Sequence, residues 1–185
     1  MTDLDNTSEF WLVPVKDFYP IIQTKYKNFG ILNPLLEISI RKRGDQQGKR
    51  SNVKADMTEW DMRKEEGGEH FETLCEWIRK VVIRDSQKTF IPVAKPHISC
   101  VWGNLYKKGH HAEEHRHLPS TWSFVYFVNV SPGCSPLIFP DAKYSLDPSD
   151  GLLVLFPSWL KHFVPTQTCN YERVSIAGDI MPHAH

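Results

Sequence analysis

The sequence carries no excess of either charge: 22 Lys and Arg stand against 22 Asp and Glu. A neutral chain has no global field with which to gather nucleic acid or an anionic membrane, so neither is an expected partner. Basic residues concentrate only between Arg41 and Lys54. There KRGDQQGKRSN has glycine and charge but no apolar period, which reads as a solvated surface loop. Long apolar runs are also missing, which excludes a membrane-spanning helix. The first residues, MTDLDNTSEF, lack both a basic start and an apolar core, so a secretory leader is not expected. Cysteine is scarce, with Cys75, Cys100, Cys134 and Cys169 far apart and no CxxC. That spacing suits reduced thiols in a cytoplasm better than a disulfide framework or a cysteine-based zinc site. Internal repeats and low-complexity segments are absent as well.

What the chain does contain is an ordinary globular balance, 185 residues with 41% hydrophobic and 24% charged. This is enough for one domain with its own core. The expected organisation is a single domain over 1–185. Within it, 1–95 supplies a mixed strand, loop and helix support, and 96–182 forms the sheet core. Leu36 to Arg41 alternate, with Ile38 and Ile40 on one face, and predict a half-buried strand. Phe71, Leu74, Cys75, Ile78, Val81 and Val82 recur at helical spacing and predict an amphipathic helix that packs on a sheet. Later segments read as strands, rich in β-branched and aromatic residues: HISCVWGNLY, WSFVYFVNV, PLIFP, GLLVLFP, KHFVP and ERVSIAGDI. SPGCSP and DPSDG separate some of them as turns. The fold class expected is mainly β with supporting helices, a double-stranded β-helix or jelly roll.

Four of the 9 histidines fall within GHHAEEHRH. Imidazole is the commonest metal ligand. In regular extended backbone, residues two apart share a face, which would put His111, Glu113, His115 and His117 on one side. Two ligands at i and i+2 can grip one metal, and a third must arrive from another strand. His162, a polar interruption in the apolar LFPSWLKHFVP, is the candidate. Two ligands from one strand and one from a distant strand leave coordination positions open, as at a non-haem iron centre. Arg173 and Ser175 share a face of the strand that follows. A guanidinium and a hydroxyl beside a metal would hold a carboxylate.

The segments NLYKKG, HRH, STWSFVYF, GLLVLFPSWLKHFV and ERVSI resemble the 2-oxoglutarate–Fe(II) oxygenases of phages and bacteria, a group related to prolyl 4-hydroxylases. The resemblance covers about Val101 to Ile180, and FPSWLxH followed by R-x-S is its most specific part. It implies an Fe(II) dioxygenase that couples oxidative decarboxylation of 2-oxoglutarate to hydroxylation by dioxygen. The substrate would be a prolyl or other peptide side chain, or a small molecule. His115 and His162 would be the outer metal ligands. Arg173 and Ser175 would bind the far carboxylate of 2-oxoglutarate, with Tyr106 donating its phenol and Trp159 packing beside the site. Phe124, Tyr126, Phe156 and Phe163 could help exclude water. The setting would be cytoplasmic, that of the host if the chain is phage-encoded.

This sequence departs from the wider pattern at one position. His-x-Asp or His-x-Glu is usual, whereas His117 follows His115 here. The competing pair His111 and Glu113 has the same spacing and supplies a carboxylate. Alignment before the following strand favours His115 and His117. Two other classes remain: a cupin-like or zinc-dependent enzyme that uses the same histidines on a small molecule, and a non-catalytic jelly-roll binding module in which metal is incidental or absent. Neither requires Arg173. Oligomeric state and the identity of the substrate are not written in the residues.

Overall fold

A computed structural model describes residues 7–12, 19–44 and 51–182. Twelve strands and two α-helices follow one another as β1 (Thr7–Leu12), β2 (Ile22–Tyr26), α1 (Phe29–Arg43), β3 (Val53–Lys54), β4 (Asp56–Met57), α2 (Gly68–Asp85), β5 (Pro96–Tyr106), β6 (His111–His115), β7 (Trp122–Asn129), β8 (Leu137–Phe139), β9 (Tyr144–Leu146), β10 (Leu152–Pro157), β11 (His162–Val164) and β12 (Arg173–Pro182). They form two antiparallel sheets. The larger has the order β1-β2-β10-β7-β12-β5-β4, and the smaller β3-β6-β11-β8-β9. This is the jelly roll that the strand pattern predicts. All six predicted strands are present, and the early residues add β1 to β4 to the two sheets.

Period-two alternation sorts the larger sheet into two faces. Trp122, Phe124, Tyr126 and Val128 of β7 turn toward the helices, as do Leu153 and Leu155 of β10 and Val174 and Ile176 of β12. The intervening residues, among them Val125, Phe127, Val154 and Phe156, turn toward the smaller sheet and meet Leu137, Phe139 and Val164 there. The inward row of β12 is Arg173, Ser175, Ala177 and Asp179. Between the last two, Gly178 faces the helices, where a Cβ would lie 2.5 Å from the Phe124 ring and 2.7 Å from the Cys100 carbonyl oxygen. Only glycine lets that ring lie flat on the strand.

The helices cover the outer face. The stripe predicted for α2 is fully buried, from Phe71 to Val82. Each such apolar side chain contributes roughly 1.5–3 kcal/mol of burial. The strand expected over Leu36 to Arg41 is instead part of α1. Its buried residues are Leu32, Asn33, Leu36, Ser39 and Ile40, a 3.6-residue stripe, while Ile38 is 63% exposed. The Ile38–Ile40 alternation is too short to carry a period against that longer stripe. Arg41, Lys42 and Arg43 end the helix at its carbonyl pole, where cations are favourable. The remainder of the predicted basic loop, 45–50, lies outside the described residues. No helix among the described residues is long and apolar enough to cross a membrane.

Candidate metal centre

Within the smaller sheet, β6 and β11 pair so that His115 stands directly opposite His162. The register slips before the next pair, Val164 opposite Ala112, leaving an extra residue in β6. Such a bulge breaks the two-residue alternation. Ala112 and His115 therefore face the same interior cavity. His111 and Glu113 are displaced from it. Glu113 is exposed, with its carboxylate 3.6 Å from Lys54 Nζ, and its amide N–H donates to the Asn52 carbonyl. The uniform alternation expected for this segment thus does not hold, and the bulge separates two pairs that spacing alone leaves equivalent.

His117 lies just beyond the end of β6 and joins His115 and His162. One nitrogen of each of the three rings lies within 4.8 Å of the others, a grouping that could hold a metal ion. His117 Nε2 and His162 Nε2 are 3.2 Å apart. The opposite nitrogens explain why these atoms converge. His115 Nδ1 is 2.6 Å from the Glu113 carbonyl oxygen, and His162 Nδ1 is 3.1 Å from that of Leu160. His117 Nδ1 is 3.1 Å from Asp179 Oδ1. A carbonyl or carboxylate oxygen can only accept, so each Nδ1 must carry the proton. Three Nε2 lone pairs are then left facing one another, and only a cation or a shared proton relieves them. His162 is buried, and that burial, followed by the repulsion of His115 and His117, holds its pKa well below the ordinary histidine range. Burial also lowers the pKa of His115. Neutral imidazole is the form that ligates metal.

The same cavity reaches Arg173, Ser175 and Tyr106 on β12 and β5. Arg173 is 1% exposed. Its Nη1 donates to the Ser135 carbonyl oxygen at 2.6 Å, while its Nε is buried without a hydrogen-bond partner. Among the described residues no carboxylate pairs with it. Burial lowers its pKa, yet a guanidinium remains protonated at any physiological pH. A buried and uncompensated cation is expensive. One face of it is covered by Tyr106, whose ring centre is 4.5 Å from the guanidinium carbon. Burial raises the Tyr106 pKa, so its hydroxyl stays a donor.

Other aromatic expectations divide. Phe156 packs on His162 with ring centres 4.6 Å apart. Phe124 borders the cavity but belongs to the helix-facing core, as does Tyr126, whose hydroxyl donates to Asn33. Phe163 is half-buried, and Trp159 packs on Tyr19 at the surface and not on the histidines. The sequence reading missed Asp179 and Trp102. Asp179 had a signal, since it continues the inward row of Arg173 and Ser175 at two-residue steps. Trp102, buried and stacked 6.0 Å from His117, had none beyond its place in an apolar strand. A second cleft opens beside the histidines, with a volume near 340 Å³, walled by Trp60, Trp102, Arg116, Leu118 and Pro119.

Residues 139–179 match the family model "Putative 2OG-Fe(II) oxygenase", a span that includes His162, Arg173 and Ser175. No curated protein sequence matches this chain. Among solved structures, the chain is similar to a viral collagen prolyl hydroxylase of Paramecium bursaria Chlorella virus-1 bound to 2OG, with a TM-score of 0.68, 16% identity, and 91% of this chain and 98% of that one covered. It is also similar to a Pseudomonas putida prolyl-4-hydroxylase, at TM-score 0.59 and 19% identity, covering 83% and 87% of the two chains. A third is a Trichoplax adhaerens prolyl hydroxylase in complex with a hypoxia-inducible-factor oxygen degradation domain peptide fragment, at TM-score 0.60 and 16% identity, covering 82% and 76%. The architecture is the jelly roll of these hydroxylases.

Proposed function

We propose that this chain is an Fe(II)- and 2-oxoglutarate-dependent oxygenase that hydroxylates an apolar side chain of a peptide, with prolyl as the leading candidate. One observation carries the reading: a buried guanidinium with no carboxylate partner among the described residues shares a cavity with three imidazole nitrogens whose lone pairs converge. Cation site and anion site lie together, as a metal-chelating dicarboxylate requires.

The residues present fit the two groups. His115, His117 and His162 would hold Fe(II), and Arg173 would take the C5 carboxylate of 2-oxoglutarate, assisted by Ser175 and the Tyr106 hydroxyl. Fe(II) and 2-oxoglutarate, when bound, supply oxidative decarboxylation by dioxygen, which yields succinate, carbon dioxide and a hydroxylated product. The protein's part is geometric and electrostatic. The β6–β11 pairing fixes two imidazoles opposite each other, and the carbonyls at Glu113 and Leu160 keep their Nε2 atoms unprotonated. Arg173, already desolvated on folding, orients the co-substrate without a further reorganisation cost. Phe156, Leu137 and Val164 wall the cavity with hydrocarbon and limit water. His111 and Glu113 take no part.

The cleft beside the histidines is the place for the substrate. Trp60 is 47% exposed and packs edge-on against Trp102 at 5.1 Å, offering aromatic surface to an apolar ring or chain. The fold neighbour that holds a peptide fragment supports a peptide substrate. A zinc-dependent enzyme or a non-catalytic module leaves the orphaned guanidinium unexplained. Residues 1–95 and 96–182 act as one domain in this reading, since β2 and β4 extend the sheet that bears Arg173.

The test is optical. Fe(II) and 2-oxoglutarate added to metal-free protein without oxygen should give the weak visible charge-transfer band of a chelated keto acid. The band should be absent in His162→Ala and need far more 2-oxoglutarate in Arg173→Ala. Folded wild-type protein that binds metal but gives no band would end the oxygenase reading. With oxygen, a proline-containing peptide should stimulate succinate formation, and the stimulation should weaken in Trp60→Ala.

A further inference from the structure

We propose that Asp179 is the positioning residue of the metal centre, supplying through His117 the negative charge that a directly bound carboxylate provides elsewhere. The inference rests on the oxygenase reading of the three histidines and goes beyond it, because Asp179 itself is not a ligand in it.

The argument begins with what holds each ring. His115 and His162 sit in paired strands, and each turns its Nδ1 onto a backbone carbonyl two residues earlier in its own chain segment. Their orientation is therefore a property of the β-ladder. His117 has left β6 and has no ladder partner for its side chain. Its ring is fixed instead by a closed circuit of polar groups. The His117 amide donates to the Ser158 carbonyl oxygen at 2.8 Å. Ser158 Oγ is 2.7 Å from Ser123 Oγ, and Ser123 Oγ donates to Asp179 Oδ1 at 2.7 Å. Asp179 then meets His117 Nδ1, at 3.1 Å from Oδ1 and 3.3 Å from Oδ2. Cys100 Sγ adds a weak donor contact at 3.6 Å to Oδ2. The register puts these groups in place, since Asp179 pairs with Ser123 on one side and Cys100 on the other.

Charge makes the same case. Among the described residues no Lys or Arg pairs with Asp179, and its side chain is 14% exposed. An almost buried carboxylate needs a polar partner, and among the described residues the imidazole in contact with it is that of His117. A carboxylate on the outer nitrogen of a metal-binding imidazole fixes its tautomer and ring plane and makes the inner nitrogen a stronger donor. Three neutral imidazoles would leave an Fe(II) centre short of the anionic ligand usual for this chemistry. Asp179 returns that charge at a distance of one ring. It also leaves the coordination position free of a carboxylate.

The experiment measures metal binding rather than turnover. Co(II) titration of metal-free wild type, Asp179→Asn, Ser123→Ala and His162→Ala is followed by calorimetry and by the cobalt visible spectrum. Asparagine is isosteric and its oxygen can still accept from Nδ1–H, so the geometry survives while the charge is lost. Outer partners of this kind are typically worth about 10–100-fold in metal affinity. Asp179→Asn should therefore bind Co(II) about 10–100-fold more weakly. Its Fe(II)–2-oxoglutarate band should move to shorter wavelength, as expected for a more electron-poor iron. Ser123→Ala keeps the carboxylate but loosens it, and should show a smaller loss in the same direction. That variant also carries the test if Asp179→Asn fails to fold.

Affinity within twofold of wild type in the folded variants, with an unshifted band, overturns the proposal and leaves the oxygenase reading intact. A loss in Asp179→Asn as complete as in His162→Ala also overturns it, because Asp179 would then be a ligand. Failure of wild type to bind either metal removes the oxygenase reading beneath it.

Discussion

The guanidinium of Arg173 lies 4.5 Å from the centre of the Tyr106 ring, and the two residues are direct partners across β12 and β5. The ring supports the cation through its face, while the hydroxyl remains a protonated donor. Tyr106→Phe separates the two contributions. It keeps the ring on Arg173 and removes only the donor, so the fold should survive. A hydrogen bond to a carboxylate is worth about 1.5–3 kcal/mol, so 2-oxoglutarate should bind roughly 10–100-fold more weakly. The measurement is 2-oxoglutarate titration of the Mn(II) protein, and unchanged affinity would confine Tyr106 to holding Arg173 in place.

Arg173 itself should be costly to the unliganded fold. It is wholly buried, and among the described residues its support comes from two aromatic faces and one carbonyl oxygen. Arg173→Met fills a similar volume without charge, and such replacements of buried ions are often neutral or stabilising by about 1–4 kcal/mol. The variant should therefore melt no lower than wild type in the absence of ligand. Wild type should gain about 2.7 kcal/mol from 2-oxoglutarate at a hundred times its dissociation constant with Mn(II) present. The variant should gain far less at the same 2-oxoglutarate concentration. A variant that melts far below wild type before ligand is added would mark Arg173 as structural.

The bulge between Ala112 and His115 makes a prediction about the competing ligand pair. Glu113 is exposed and outside the histidine group, so Glu113→Gln should bind Co(II) as wild type does, within about twofold. His111→Ala should likewise retain metal. His115→Ala should not. Metal loss in Glu113→Gln would mean that β6 pairs in a different register when the site is loaded.

The same bulge marks the limit of what the sequence discloses. Strand existence was legible because β7, β10 and β12 are rich in β-branched and aromatic residues. The shared cavity face of Arg173 and Ser175 was legible because the two obey a simple two-residue period. A bulge has no such signature. One extra residue in β6 changes which side chains face inward, and nothing in HHAEEHRH announces it. Asp179 lies on the same inward row as Arg173, but its role depends on a ring arriving from a loop 62 residues earlier. The misread segment at Leu36 failed for a different reason. Three alternating residues cannot outweigh a helical stripe that begins at Leu32 and includes the polar Asn33.

That polar residue in the apolar stripe of α1 gives the last prediction. Asn33 is 6% exposed and joins the helix to the sheet through both ends of its amide. Its Nδ2 donates to the Val128 carbonyl oxygen at 2.6 Å, and its Oδ1 accepts from the Tyr126 hydroxyl at 2.7 Å. Asn33→Ala would leave a buried hydroxyl and a buried carbonyl unpaired, each costing about 1–3 kcal/mol. Tyr126→Phe removes the hydroxyl and should cost less, because the amide keeps its bond to Val128. In the double variant the unpaired hydroxyl is gone, so its loss should be smaller than the sum of the single losses. Urea denaturation of the four proteins measures this coupling. Additive losses would show that the Asn33–Tyr126 bond contributes nothing of its own.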